Sequence, residues 1–159
     1  MVKKIVIVED SKLIAKKIKD ILTETDYNVV ASFTSGEEAV NYCSEKEVDL
    51  IIMDLNLDGK LNGFEAARKL SEVKELPYIF LTGSKKEKQF RADDFYSIST
   101  YLSKPFTVTE LINNIDILLY KYEFIKKMSK VNEEQRILLN NIQNHVWYLL
   151  DAKTYGRVN

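Results

Sequence analysis

The chain has 159 residues, 45% of them hydrophobic, which suffices for one ordinary domain with a real core and an extension beyond it. Its 23 Lys and Arg stand against 24 Asp and Glu, a net charge of −1, so there is no global positive field to hold a polyanion, and nucleic acid is not expected as a direct partner. Cys43 is the single cysteine, which rules out an internal disulfide and a multi-cysteine zinc site. The apolar run after Lys3 and Lys4 is far shorter than a signal-peptide core or the roughly 20 residues of a membrane span, so a cytoplasmic protein without membrane association is expected.

Ile5 to Val8 is short, β-branched and continuous, the pattern of a strand buried on both faces. Ser11 can cap a helix whose apolar positions Ile14, Ile18, Ile21 and Leu22 recur at helical spacing and which closes near Thr25-Asp26. The unit repeats: Asn28 to Phe33 reads as a strand, Ser35 or Gly36 opens a helix through Cys43, and Asp49 to Met53 is the third strand. Gly63 to Leu70 is the third helix, Tyr78 to Leu81 the fourth strand, Lys86 to Phe95 a weaker helix, and Thr100 to Leu102 a short fifth strand. Such alternation predicts an α/β domain, a doubly wound parallel sheet of five strands covered by five helices.

From Thr107 a fifth helix is expected to run past the domain, because Leu111, Ile115, Leu118, Tyr122 and Ile125 follow a 4,3,4,3 spacing that reads as a coiled-coil seam. Phe124, Met128, Val131, Gln135, Leu138 and Ile142 form a second register, which needs a stammer if one helix is continuous. Alternatively, Asn132 with Gln135 caps a new helix.

In an open parallel sheet, ligands bind beyond the carboxyl ends of the strands. Four of the strands deliver polar groups there: Glu9-Asp10, Asp54, Thr82 and Lys104. A carboxylate attacks phosphorus only if the incoming charge is neutralised and the geometry is held, so these groups suit phosphoryl transfer onto Asp54. Three mutually repelling acids, Glu9, Asp10 and Asp54, call for a divalent cation, and hard oxygen ligands favour Mg²⁺, with several waters retained. The backbone carbonyl of Asn56 is placed to join them. Lys104 and Thr82 would take the other phosphoryl oxygens, with Pro105 forming a rigid turn.

These residues together resemble the receiver domains of two-component response regulators over residues 3 to about 120. The acidic pair is Glu9-Asp10, the phosphoacceptor Asp54, the switch hydroxyl Thr82, the Lys-Pro dipeptide Lys104-Pro105, and the switch aromatic Tyr101. The resemblance implies a flavodoxin-like strand order of 2-1-3-4-5 and phosphate taken from a phosphohistidine on a histidine kinase or phosphotransfer protein. It also implies dependence on Mg²⁺, with Mn²⁺ able to substitute, and a Thr82/Tyr101 switch that acts on a partner or an attached domain. The chain departs from the family in three places. Gly63 lies nine positions after Asp54, one more than the commonest spacing; Leu57-Asp58 replaces Met-Pro; and Ser97 to Thr100 replaces the small-residue pair before the fifth strand.

Residues 1–120 are thus expected to form the receiver, 121–141 a helical linker able to form a coiled coil, and 142–159 the truncated start of a PAS domain. The last expectation rests on a likeness of Asn144 to Asp151, followed by Thr154-Tyr155 and Val158-Asn159, to a PAS opening strand and first helix, and it implies a longer parent, such as a receiver-PAS-histidine kinase. Nothing resembles an ATP site. The competing functions are a constitutive dimerisation module, formed by pairing of the C-terminal helix, and an aspartyl-nucleophile phosphatase, which normally carries an acid where Asn56 stands. A flavodoxin-like cofactor binder would need glycines where this chain has Glu9-Asp10.

Overall fold

The computed structural model describes residues 2–83 and 98–155, with side chains described through residue 138. The elements in chain order are β1 (Lys3–Val8), α1 (Lys12–Thr23), β2 (Tyr27–Phe33), α2 (Gly36–Glu45), β3 (Leu50–Asp54), α3 (Gly63–Ser71), β4 (Tyr78–Thr82), β5 (Ser99–Ser103) and α4 (Val108–Tyr155). The five strands form one parallel sheet in the order β2-β1-β3-β4-β5, as the flavodoxin-like reading requires. Four helices lie among the described residues. The weaker helix expected at Lys86 to Phe95 falls outside them.

The continuous apolar runs become central strands because both faces of the sheet are covered. Val6, Val8, Ile51 and Met53 cluster with Ala39 and Cys43 of α2 and with Ala66, Ala67 and Leu70 of α3. The alternate positions Ile5, Ile7, Leu50 and Ile52 are equally buried outside that cluster, as are Ile18 and Leu22 of α1 and Leu111 and Ile115 of α4. Each such side chain contributes roughly 1.5–3 kcal/mol of burial, so these runs dominate the fold's stability.

Helix starts follow local chemistry. Ser35 Oγ accepts from Glu38 N at 3.4 Å, and Asn62 with Glu65 forms a reciprocal capping box at 2.9 and 3.0 Å. Thr107 and Glu110 repeat that box at the start of α4. Ser11 stands at the N-cap of α1, but its side chain makes no cap bond; its own N–H donates to Glu9 Oε1 at 3.2 Å.

Residues Met1–Tyr122 and Glu123–Asn159 form two compact units, and α4 continues from the first into the second. Leu111, Ile115 and Leu118, read as the beginning of a coiled-coil seam, are buried core residues of the first unit. A 4,3 spacing serves any helix with one docked face, so the periodicity alone does not separate the two cases. In the second unit, Phe124, Met128, Val131 and Leu138 are exposed. No new helix begins at Asn132, and residues 144–151, part of the segment likened to a PAS opening strand and first helix, lie within the continuous α4. Aromatic and β-branched residues there suit a strand locally, but extending an existing helix costs less than nucleating a new element.

Candidate functional site

The strand register brings four strand ends to one edge. Val8 pairs with Met53, Asp54 with Leu81, and Thr82 with Ser103, so Glu9, Asp54, Thr82 and Lys104 all sit at or one residue beyond aligned ends. Backbone bonds continue past the strands and fix the exits: Glu9 N to Phe33 O at 3.0 Å, Leu55 N to Leu81 O at 3.1 Å, and Lys104 N to Thr82 O at 2.7 Å. Lys104-Pro105 is a cis peptide.

Glu9, Asp10 and Asp54 each offer a carboxylate oxygen within 4.8 Å of the others. Glu9 is 1% and Asp54 4% exposed, while Asp10 is half-buried. Lys104 Nζ donates to Glu9 Oε2 and to Asp54 Oδ2, both at 2.7 Å. The second oxygen of Asp54 accepts from Asn56 N at 3.2 Å. Three acids against one ammonium leave an excess of negative charge in a largely dry pocket. Burial drives the Glu9 carboxyl above its ordinary range, the bond from Lys104 offsets part of that, and the charge of Asp54 reinforces it. Burial also works to lower the Lys104 ammonium, but its bonds to Asp54 and Glu9 outweigh that and hold it above its usual value.

Thr82 is fully buried, and its hydroxyl has no hydrogen-bond partner among the described residues. A buried hydroxyl without a partner is costly, so its position suits a ligand that arrives from outside the protein. Tyr101 is half-buried on β5, its ring stacked 5.5 Å from that of Phe80. Glu9, Asp10, Asp54, Asn56 and Lys104 are joined by these contacts and Thr82 ends the adjoining strand, whereas Tyr101 lies two positions further back, opposite Phe80. Hard oxygens, crowded charge and an orphaned hydroxyl fit a divalent cation with a tetrahedral anion beside it.

Two other residues shape the loop between Asp54 and α3. A Cβ on Gly63 would stand 1.9 Å from Asp54 O, so only glycine allows α3 to begin against the strand that carries Asp54. Glu37, at the start of α2, accepts from Lys60 N at 2.7 Å across this loop. Glu37 was not legible as a site neighbour in the sequence. The only sequence signal was the glycine at position 59, which the structure places at φ +141° beside the Glu37 carboxylate, and a glycine does not say what it faces.

The described residues thus form an open parallel sheet with an acidic, lysine-bridged pocket at its carboxyl edge. Residues 5–116 match the family described as response regulator receiver domain, and the chain belongs to that family. It is 32% identical over 111 residues to the transcriptional regulatory protein YvrH of Bacillus subtilis, covering 70% of this chain and 46% of that protein. The heme response regulator HssR of Staphylococcus epidermidis is 29% identical over 160 residues, covering 96% of this chain and 66% of the relative. The chain thus spans about half to two thirds of the length of these curated relatives. The receiver domain of a modulated diguanylate cyclase from Desulfovibrio desulfuricans superposes with a TM-score of 0.70 at 32% identity, covering 78% of this chain and 98% of that one. Receiver domains of two-component systems generally bind Mg²⁺ and interact with histidine kinases or phosphotransfer proteins and with attached output domains. Among the described residues, no helix is long and apolar enough to cross a membrane.

Proposed function

We propose that Asp54 is the phosphoacceptor of this receiver. The observation that carries the reading is the bridge of Lys104 Nζ to both Asp54 and Glu9 at 2.7 Å inside a cluster of three acids. A carboxylate oxygen of Asp54 attacks the phosphorus of a phosphohistidine; the P–O bond forms, the P–N bond breaks, and the imidazole leaves with the electron pair. Lys104 moves its ammonium from carboxylate to phosphoryl oxygen, and Thr82 donates its otherwise unpartnered hydroxyl to another. Glu9, Asp10, Asp54 and the Asn56 carbonyl would hold Mg²⁺, or Mn²⁺ in its place, which supplies the remaining charge neutralisation.

Thr82 leaving its pocket frees space beside Phe80, and the Tyr101 ring turns into it. The resulting change of surface is read by a partner or an attached domain, a two-state equilibrium biased by a local charge. A relative from Carboxydothermus hydrogenoformans, 35% identical with a TM-score of 0.65, is described as the N-terminal domain of a response regulator/sensory box/GGDEF 3-domain protein, which supports a downstream domain here. The exposed residues Phe124, Met128, Val131 and Leu138 support pairing of the helical extension with a second copy. The setting is cytoplasmic.

Acetyl phosphate or beryllofluoride with Mg²⁺ tests the reading. Asp54 acquires the group, and Asp54→Asn does not. An unmodified wild-type chain overturns the proposal, and sustained turnover of phosphomonoesters would favour a phosphatase instead. Oligomeric mass with and without beryllofluoride distinguishes switched from constitutive dimers.

A further inference from the structure

The segment from Asp54 to Gly63 is one residue longer than the commonest receiver spacing, and it carries Asn56, whose N–H already bonds to Asp54. Its two ends are well fixed. At one end Leu57 is buried, and at the other Gly63 N donates to Leu55 O at 3.1 Å. Between them the chain passes through Asp58, Gly59 and Lys60, all exposed. An exposed stretch of this kind would ordinarily sample several conformations and leave the base of the loop, where Asn56 lies, less firmly held.

Glu37 reaches this stretch from another element. Its Oε1 accepts from Lys60 N at 2.7 Å, and its Oε2 lies 3.2 Å from where a Cβ on Gly59 would stand. Gly59 at φ +141° is in a region that L side chains rarely adopt, so glycine supplies both the backbone conformation and the room for the carboxylate. Backbone N–H groups, first its own and then those of Lys60 and Leu61, hold the Glu37 carboxyl below the ordinary carboxylate range despite the opposing effect of partial burial. Gly36, one residue earlier, places α2 so close to this segment that an added Cβ would sit 3.1 Å from Leu61 O. The start of α2 and the loop are therefore fitted to each other over residues 36–37 and 59–61.

We infer that Glu37 is a positioning residue for the metal site: by clamping the backbone at Gly59-Lys60 it steadies the loop whose base carries Asn56, which bonds through its N–H to Asp54 and whose carbonyl would join the cation site. The inference rests on the proposed function, because it gives Asn56 a role in holding the cation. Side chains that orient metal ligands typically affect affinity by about 10–100-fold, and Glu37 acts one step further out, so a loss of about threefold to tenfold is expected.

Titration of the full chain with Mn²⁺, followed by electron paramagnetic resonance of the free ion, tests it, with a thermal melt of every variant. Glu37→Ala and Gly59→Ala weaken Mn²⁺ binding by that factor. Glu37→Gln keeps the acceptor for Lys60 N and stays within about twofold of wild type. Glu38→Ala removes the neighbouring acid of the same helix turn without touching the loop, and it also stays within about twofold. Should Glu37→Ala fail to fold, the Gly59→Ala arm decides. Unchanged affinity in Glu37→Ala, or an equal loss in Glu38→Ala, overturns the clamp while leaving the phosphoacceptor reading intact. A wild-type chain that ignores Mn²⁺ overturns both.

Discussion

Replacing Asp10 by Asn should stabilise the metal-free protein, although Asp10 belongs to the proposed reaction site. Its carboxylate lies within 4.8 Å of those of Glu9 and Asp54, and each such pair repels by about 3.5 kcal/mol or more at an effective dielectric constant of about 20. Three effects reduce the sum. Asp10 is half-exposed and therefore screened, the Lys104 ammonium is nearby, and an acid just before α1 gains about 0.3–1 kcal/mol from the helix dipole. A net gain of about 1–3 kcal/mol remains, which raises Tm by about 2–4 °C per kcal/mol for a chain of this size. Circular dichroism melts in EDTA, then in saturating Mg²⁺, measure it. The variant melts above wild type in EDTA and gains less from Mg²⁺. A variant with native secondary structure that melts at or below wild type in EDTA would refute the idea that this pocket is electrostatically overloaded.

Thr82→Val keeps the shape and removes a hydroxyl without a described partner, so metal-free stability by urea denaturation is unchanged or higher by about 1–2 kcal/mol, while the stabilisation gained from beryllofluoride shrinks. A marked loss of metal-free stability would show that the hydroxyl already has a partner. Gly63→Ala forces a Cβ to 1.9 Å from Asp54 O and costs about 3 kcal/mol or more, seen as a lower urea midpoint; a midpoint equal to wild type would contradict the close approach. Burial pushes the Cys43 thiol from an ordinary 9.0 up to about 11, so at pH 8 the folded chain reacts with a disulfide reagent far more slowly than the urea-unfolded chain. Because the folded pKa is the higher one, the unfolded thiol ionises first. The stability associated with this group is present below pH 9 and declines as pH rises through 11, so the advantage of wild type over Cys43→Ala narrows across that window.

Most of the sheet was legible because strands buried on both faces leave an unbroken mark: Ile5 to Val8 and Tyr78 to Leu81 are apolar, fully buried and too short for a helix. The strand ends were legible too, since Glu9 and Asp54 each interrupt an apolar run with a charge and Lys104 stands before the turn residue Pro105. Contacts between distant segments were not. The bond from Lys60 N to Glu37 and the bonds from Tyr27 to Asp116 and from Tyr122 to the carbonyl of Glu75 join residues 23 or more positions apart, and none has a periodic signature. The apolar run marks β1 only from Ile5, yet the strand begins with Lys3 and Lys4. Tertiary contacts account for their place: Lys4 N donates to Asp49 Oδ2 at 2.7 Å, and Lys4 Nζ meets Glu47 at 2.8 Å. In α4 the apolar spacing predicts the helix that is found, but whether each stripe is covered depends on neighbours that the spacing does not name.

The shared edge of the sheet has a bearing on how such a domain can diverge. Glu9, Asp54, Thr82 and Lys104 each hang from a different strand, and the strands are locked to one another by their ladders. Helix surfaces facing solvent can accumulate substitutions without disturbing the spacing of those four groups. A lineage can therefore exchange one correspondent for another while its chemistry stays constant, because recognition and reaction are written on separate layers of the same molecule.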